Sequence, residues 1–311
     1  MLDSETFLTT LFVKADDFAK SVLPAEPVHP GAVASLNRSE VIALATFAQW
    51  RCFASESAFY RYANARLRGA FPGLPGHEQF NRLVRQHWLS LIGFFQHLGD
   101  ELGAAKAAYQ ALDGLGVQTR NSKRRGFGWL AGIANVGHSN RLGWYEGLYV
   151  MTAATPDGVI TGYGIAPAST NDRVVADTFL AARQSACAKL PMAGKKADCT
   201  YLADKGFNGR KHYEQWRDEV EATVLTVPPR HSDGSQPWPR QWRKWLSSHR
   251  QIIETVHDKL IDVFRLDSER PHALDGFQAR LAANAALHNF CIWLNVQLGR
   301  PKLAFADLID W

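Results

Sequence analysis

Three acids stand far apart in the chain, in contexts that could serve one chemistry. Asp113 lies in "YQALDG", Asp204 in "TYLADKGFNG" and Glu254 in "RQIIETVHDKL". The intervals are 91 and 50 residues, so only a tertiary fold could bring them together. Carboxylate oxygens are the donors that a hard divalent cation such as Mg²⁺ prefers. Two such ions about 3.5–4 Å apart can activate an attacking oxygen and stabilise a leaving one in phosphodiester cleavage. Taken singly, each acid has an ordinary explanation. Asp113 before Gly114 and Asp204 before Lys205-Gly206 are turn-like pairs. Glu254 follows Arg250 by four residues, the spacing of a surface ion pair on a helix. Glu146, Asp172, Asp198 and Asp258 are competing carboxylates near the same segments.

The elements that would have to position these acids can be read from periodicity and turn chemistry. Residues 38 to 110 repeat apolar positions at helical spacing, with Asn37 and Ser39 as candidate N-caps and Pro72 and Pro75 as breaks. A packing domain and a helix-turn-helix that binds DNA ends are both open readings of that region. Next, "WYEGLYVMTAATPDGVITGYGIAPA" holds two apolar runs around Thr155-Pro156-Asp157-Gly158. Proline presets that turn and glycine takes its left-handed position, which predicts a β-hairpin. A helix follows in "NDRVVADTFLAARQSACAKL", with Val174, Val175, Phe179 and Leu180 as its apolar face. "TYLADKGF" reads as a strand ending at Asp204, "GRKHYEQWRDE" as a helix, and "EATVLTVPP" as a strand stopped by Pro228 and Pro229. "SSHRQIIETVHDKLIDVFRL" is an amphipathic helix striped by Ile253, Val256, Leu260 and Phe264, and a last helix covers about residues 275 to 297.

With "YQALDG" as a first strand ending at Asp113, the order becomes three strands, helix, strand, helix, strand, helix. That is the order of a ribonuclease H-like α/β fold, a mixed sheet flanked by helices. There the ends of the first and fourth strands lie side by side and a late helix packs on the same edge. Asp113, Asp204 and Glu254 occupy those three places. The expected organisation is a helical N-terminal region over residues 1–105, a catalytic domain over 106–297 and a tail over 298–311.

Bulk composition narrows the field less. The 311 residues are 46% apolar, enough for a substantial core, and the formal net charge is +5. Cys52, Cys187, Cys199 and Cys291 lack zinc-ligand spacing. No stretch reaches the roughly 18 apolar residues of a membrane helix, and the first twenty residues, "MLDSETFLTTLFVKADDFAK", lack the apolar block of a signal peptide. A cytoplasmic, nucleoid-associated protein with no membrane partner is expected. Positive charge is local. Arg120, Lys123, Arg124 and Arg125 follow Asp113; Arg230, Arg240, Arg243, Lys244 and Arg250 precede Glu254, opposed only by Asp233. Such clusters neutralise phosphates. Trp238, Trp242 and Trp245 share the second cluster at i, i+4, i+7 spacing, which predicts core packing, with stacking on exposed bases as the alternative.

The stretches "LDGLGVQTRNSKRRG", "GVITGYGIAPASTNDR", "YLADKGFNG" and "RQIIETVHDKL", with "FPGLPGHEQFNRLVR" before them and "LAANAALHNF" after, resemble bacterial insertion-sequence transposases of the DDE type. The resemblance covers about residues 38 to 295. It implies Asp113, Asp204 and Glu254 as the catalytic, metal-binding triad for two Mg²⁺ or Mn²⁺ ions. It implies double-stranded DNA as partner, both terminal inverted repeats and target, and a homo-oligomer that joins two ends. Arg250 matches the family's arginine before the glutamate. Two positions depart: Ser247 stands where a tyrosine is usual and Ile261 where a lysine is usual, with Lys259 close by on another helical face. The implied activity is metal-dependent cleavage followed by 3′-hydroxyl attack. The alternatives are a nuclease of the same fold without strand transfer and a non-catalytic DNA-binding relative. His257 and His288 are expected to be structural.

Overall fold

Local signals set the first helices. The strand β1 (Leu2–Asp3) leads into α1 (Ser4–Ser21), where the Asp3 carboxylate accepts the Thr6 N–H at 2.7 Å. Asn37 and Glu40 form a reciprocal capping box at the start of α2 (Arg38–Phe47), which satisfies two otherwise orphaned donors. Ser39 is no cap; it is buried and donates to Asp16. Then come α3 (Glu56–Tyr62), a π turn, the proline break, α4 (His77–Gln86) and α5 (Trp88–Glu101). The strands β2 (Gln110–Arg120), β3 (Asn135–Ser139), β4 (Gly143–Ala154) and β5 (Ile160–Pro167) follow. They are succeeded by α6 (Asp172–Lys189), β6 (Cys199–Leu202), α7 (Arg210–Val220), β7 (Ala222–Leu225), α8 (Arg240–Arg250), α9 (Ile252–Asp258), α10 (Leu274–Gln297) and β8 (Ile309–Asp310). This computed structural model describes residues 1–25, 35–120, 130, 132–189, 199–268 and 270–311.

The chain divides into two units. In the first, Met1–Leu102 joins Lys259–Trp311. Helix α10 is buried on nearly every side, Asn284, His288, Asn289 and Asn295 included, and packs against α2, α4 and α5. β1 and β8 pair in parallel, Leu2 with Ile309. Phe7 stacks edge-on with Trp50 and Phe290, and Trp311 meets Phe47 and Trp50. The last helix and the tail thus group by contact with the N-terminal helices, where their apolar surface is buried.

The second unit, Gly103–Phe127 with Ala131–Asp258, holds one mixed sheet in the order β3-β4-β2-β6-β7. β2 is antiparallel to β4 and parallel to β6, and β6 is parallel to β7. β3 and β5 share one edge of β4, pairing with its first and second halves respectively. This is the expected ribonuclease H-like α/β fold. The β4–β5 hairpin closes as its residues predict, with Gly158 at φ 82° and Gly158 N–H bonded to the Thr155 carbonyl. Val175, Ala176, Phe179 and Leu180 of α6 pack with Leu112, Met151, Tyr201, Phe207 and Trp216 in one core.

Four expectations shift in detail. β2 does not end at Asp113 but runs on to Arg120, because β4 supplies partners along its whole length. Val174 faces solvent, and Ala176 takes its place in the core. The region after Pro75 forms two helices broken at His87 rather than one. The late helix is interrupted at Gln251 between α8 and α9, although Ile253, Val256, Leu260 and Phe264 are all buried as the stripe predicts.

The β2–β4 register leaves no room at Gly147, where an added Cβ would sit 2.0 Å from the Val117 carbonyl oxygen. Gly147→Ala should destabilise the protein by ~3 kcal/mol, the upper end for overpacking against atoms that cannot move aside. Urea unfolding reads this as a lower midpoint, and an unchanged midpoint would contradict the register.

Candidate active site

Strand pairing sets the first two acids side by side. Ala111 of β2 pairs with Leu202 of β6 in parallel register, and Asp113 and Asp204 each lie two residues further on. Alternation turns Leu112 toward the α6 core and Asp113 toward the opposite face, where α9 packs on β2 and β4. One Asp113 oxygen accepts the Gly114 N–H at 2.8 Å; the other accepts from Arg250 Nη1 at 2.7 Å.

Asp204 caps the short 3₁₀ turn Lys205–Phe207 by accepting the Gly206 N–H. Asn208 pins that turn. Its carbonyl accepts from Arg173 of α6 at 3.2 Å, its amide donates to the Val227 carbonyl at 2.8 Å, and its Oδ1 accepts the Tyr213 hydroxyl at 2.6 Å.

Glu254 reaches the site through a cation. The Arg250 guanidinium forks, with Nη1 on Asp113 and Nη2 on Glu254 Oε1 at 2.9 Å. The ordinary i, i+4 pairing of Glu254 with Arg250 is thus real, and the same guanidinium also ties β2 to α9. Burial of Ile253 and Val256 orients that helix.

A fourth carboxylate joins them. Asp172, at the start of α6, accepts a hydrogen bond from the Tyr149 hydroxyl of β4. Two glycines make this approach possible. A Cβ on Gly114 would fall 1.8 Å from the Tyr149 ring, and one on Gly206 would fall 2.5 Å from Asp172 Oδ2 and 2.8 Å from Asp204 Oδ1. Burial raises the Asp113 carboxyl to about 6; the Asp204 and Asp172 charges add to this, while the Gly114 N–H and Arg250 oppose it. Asp172 is likewise raised, by burial and then by Asp204, against the Tyr149 bond. Tyr149 is held neutral by burial and by the neighbouring acids. His257, buried beside them, is lowered to about 4 by burial, Arg141 and Arg250, which suits a neutral structural ring.

The candidate DNA contacts divide. Arg120 is buried and bonded to Glu146 at 3.1 Å, a poor position for gripping phosphate. Lys123, Arg124 and Arg125 lie outside the described residues. Arg240 and Lys244 are exposed on α8 and Arg243 is half-buried. Packing does not account for Trp242 and Trp245, which are 55% and 39% exposed, whereas Trp238 is half-buried. In the first unit Lys259 lies 5.8 Å over the Phe305 ring and Ile261 is buried.

The donor set suits a hard divalent cation in kind, being all carboxylate oxygen. It also suits one in charge, because half-buried Asp113 has the negative charges of Asp204 and Asp172 as neighbours beside the one guanidinium of Arg250. The fit is one of chemistry and charge, not of ready coordination: among the described residues no three carboxylate, histidine or cysteine side chains are gathered around one point. Also among the described residues, no helix is long and apolar enough to cross a membrane.

Residues 110–290 match a family model described as the transposase DDE domain, more than half of the chain. No curated protein matches, and no solved structure does.

A carboxyl with a raised folded pKa binds its proton more tightly folded than unfolded. Its contribution therefore favours the fold below the unfolded value, about 3.9, and is lost as pH rises through about 6. In the presence of a chelator, Asp113→Asn should stabilise the protein at pH 7.5 by about 1–2 kcal/mol, allowing for water at a partly exposed carboxyl. Near pH 4 the difference should vanish. Thermal unfolding across that range checks it; a gap that widens toward acid would reverse the sign.

Proposed function

The chain belongs to the DDE transposase family, and from that premise we propose that its second unit cuts the ends of an insertion sequence and joins the freed 3′-hydroxyl to target DNA. The observation that carries the reading is the pair Asp113 and Asp204 at one level of adjacent parallel strands, with Glu254 tied to Asp113 by a single guanidinium.

Asp113, Asp204 and Glu254 would hold the two divalent ions, Mg²⁺ or Mn²⁺. Bound ions supply Lewis acidity and lower the pKa of water at neutral pH. The remaining work falls to the chain. The clamp on Asn208 keeps Asp204 at a fixed height beside Asp113. The Arg250 fork matches the geometry of phosphate oxygens as well as carboxylate ones, so on release from the acids it can grip the scissile phosphate. Arg240, Arg243 and Lys244 extend this positive surface along α8 and would neutralise the backbone of double-stranded DNA, at the terminal inverted repeats or the target. Joining two ends calls for a homo-oligomer.

Asp204→Ala should lower both cutting and joining of an element-end plasmid by more than ~100-fold, the scale of losing even an outer partner of a metal site, while DNA binding persists. Normal cutting by this variant would refute the assignment. Cutting without joining by the parent protein would favour the nuclease reading, and binding alone the non-catalytic one. Arg240→Ala and Lys244→Ala should each weaken duplex binding regardless of sequence and lower the salt slope by about 1. Binding titrations at several salt concentrations measure it.

A further inference from the structure

Helix α8 carries an aromatic row that backbone neutralisation does not use. Of its 11 residues only Leu246 is buried. Trp242 and Trp245 stand exposed with ring centroids 6.5 Å apart; Trp245 meets His249 at 4.7 Å, and His249 meets Tyr109 at 5.8 Å. The His249 ring is fixed, since its Nδ1 lies 2.8 Å from the Trp245 carbonyl oxygen and must donate to it. The row ends at a shallow depression of about 370 Å³ lined by Tyr109, Pro156, His249, Ile252 and Thr255. One residue beyond His249 is Arg250, whose guanidinium holds Asp113 and Glu254.

Charge identifies the occupant. The α8 sequence RQWRKWLSSHR contains no acid, and Arg240, Arg243 and Lys244 flank the indoles. A polyanion with flat apolar faces complements that surface. In duplex DNA those faces are hidden by stacking and only base edges are exposed in the grooves. In an unpaired strand they are free, and aromatic side chains bind them regardless of sequence. Tryptophan and arginine also favour protein interfaces, but a purely cationic helix that leads into a carboxylate site matches nucleic acid better than a second copy of a chain that itself carries a positive net charge of +5.

We propose that the Trp242–Trp245–His249–Tyr109 row holds an unpaired strand of the DNA substrate, with a base seated in the depression beside Tyr109, so that the preferred substrate is a DNA end with unpaired nucleotides. The inference rests on the transposase reading and names the form of its substrate. The test is fluorescence anisotropy of labelled oligonucleotides with the full chain in chelator: a blunt duplex, and the same duplex with a short oligothymidine tail. The parent protein should prefer the tailed form. Trp242→Ala and Trp245→Ala should each weaken tailed binding by roughly 5- to 100-fold and leave blunt binding unchanged, while Trp245→Phe retains most of the preference. Equal affinity of the parent protein for both forms would overturn the proposal, as would equal losses on both forms in the variants. It would also fall if Trp245→Ala left tailed binding intact but changed the mass in light scattering, which would assign the face to a second copy. Because both substrates are read without cleavage, this outcome is separable from the Asp204→Ala result: tail preference can fail in an active transposase and can persist in an inactive one.

Discussion

The register between two parallel strands is the constraint on which the site depends. Ala111 and Leu202 are Cα partners, and from that pairing Asp113 and Asp204 emerge at the same height. A shift of one residue on either strand would turn one acid to the other face of the sheet, since side chains alternate with a period of two. Several features hold the register. β4 pairs with β2 from Ala111 to Arg120, β7 pairs with all of β6, and Gly147 lets the β2 backbone approach more closely than any side chain would allow. The placement of the two acids is therefore a property of the whole sheet, not of the loop that follows β6.

Much of this was legible where the causes are local. Pro156 and Gly158 announce the hairpin because each fixes a backbone angle. Asn37 announces a helix start because its side chain reaches only its own first turn. The order of strands and helices was enough to name the fold. The extent of β2 was not legible, because alanine, glutamine and glycine are weak strand formers and its stability comes from neighbours on both sides. The tryptophans misled for a related reason. Spacing of i, i+4, i+7 says that they share a face but not what lies opposite, and opposite α8 there is solvent.

Asp172 illustrates a different limit. An acid in the first turn of a helix has a routine explanation in the helix dipole, so its sequence context does not single it out. Its meaning appears only when Tyr149 crosses Gly114 to reach it and Gly206 leaves space for it beside Asp204. Glycines without side-chain needs of their own were the available signal, since both follow or nearly follow a candidate acid. Likewise α10 has no continuous polar face, but nothing in chain order says that it packs with helices more than a hundred residues earlier.

Collecting carboxylates in a folded protein raises a physical difficulty: like charges repel, and burial disfavours each of them. The chain meets this with one cation placed four residues before one of the acids. Arg250 ends α8 and Glu254 lies in the first turn of α9, four residues on, so docking this segment onto the sheet delivers a positive and a negative group together, and Asp113 receives the positive one. The compensation is partial. Burial still raises Asp113 to about 6 against the Gly114 N–H and the Arg250 guanidinium, and the charges of Asp204 and Asp172 add to that rise. A fully neutralised cluster would have no reason to attract a divalent ion, and an unneutralised one would oppose folding. A single guanidinium lies between these limits: it offsets part of the repulsion as the sheet closes, and it ties Asp113 to Glu254.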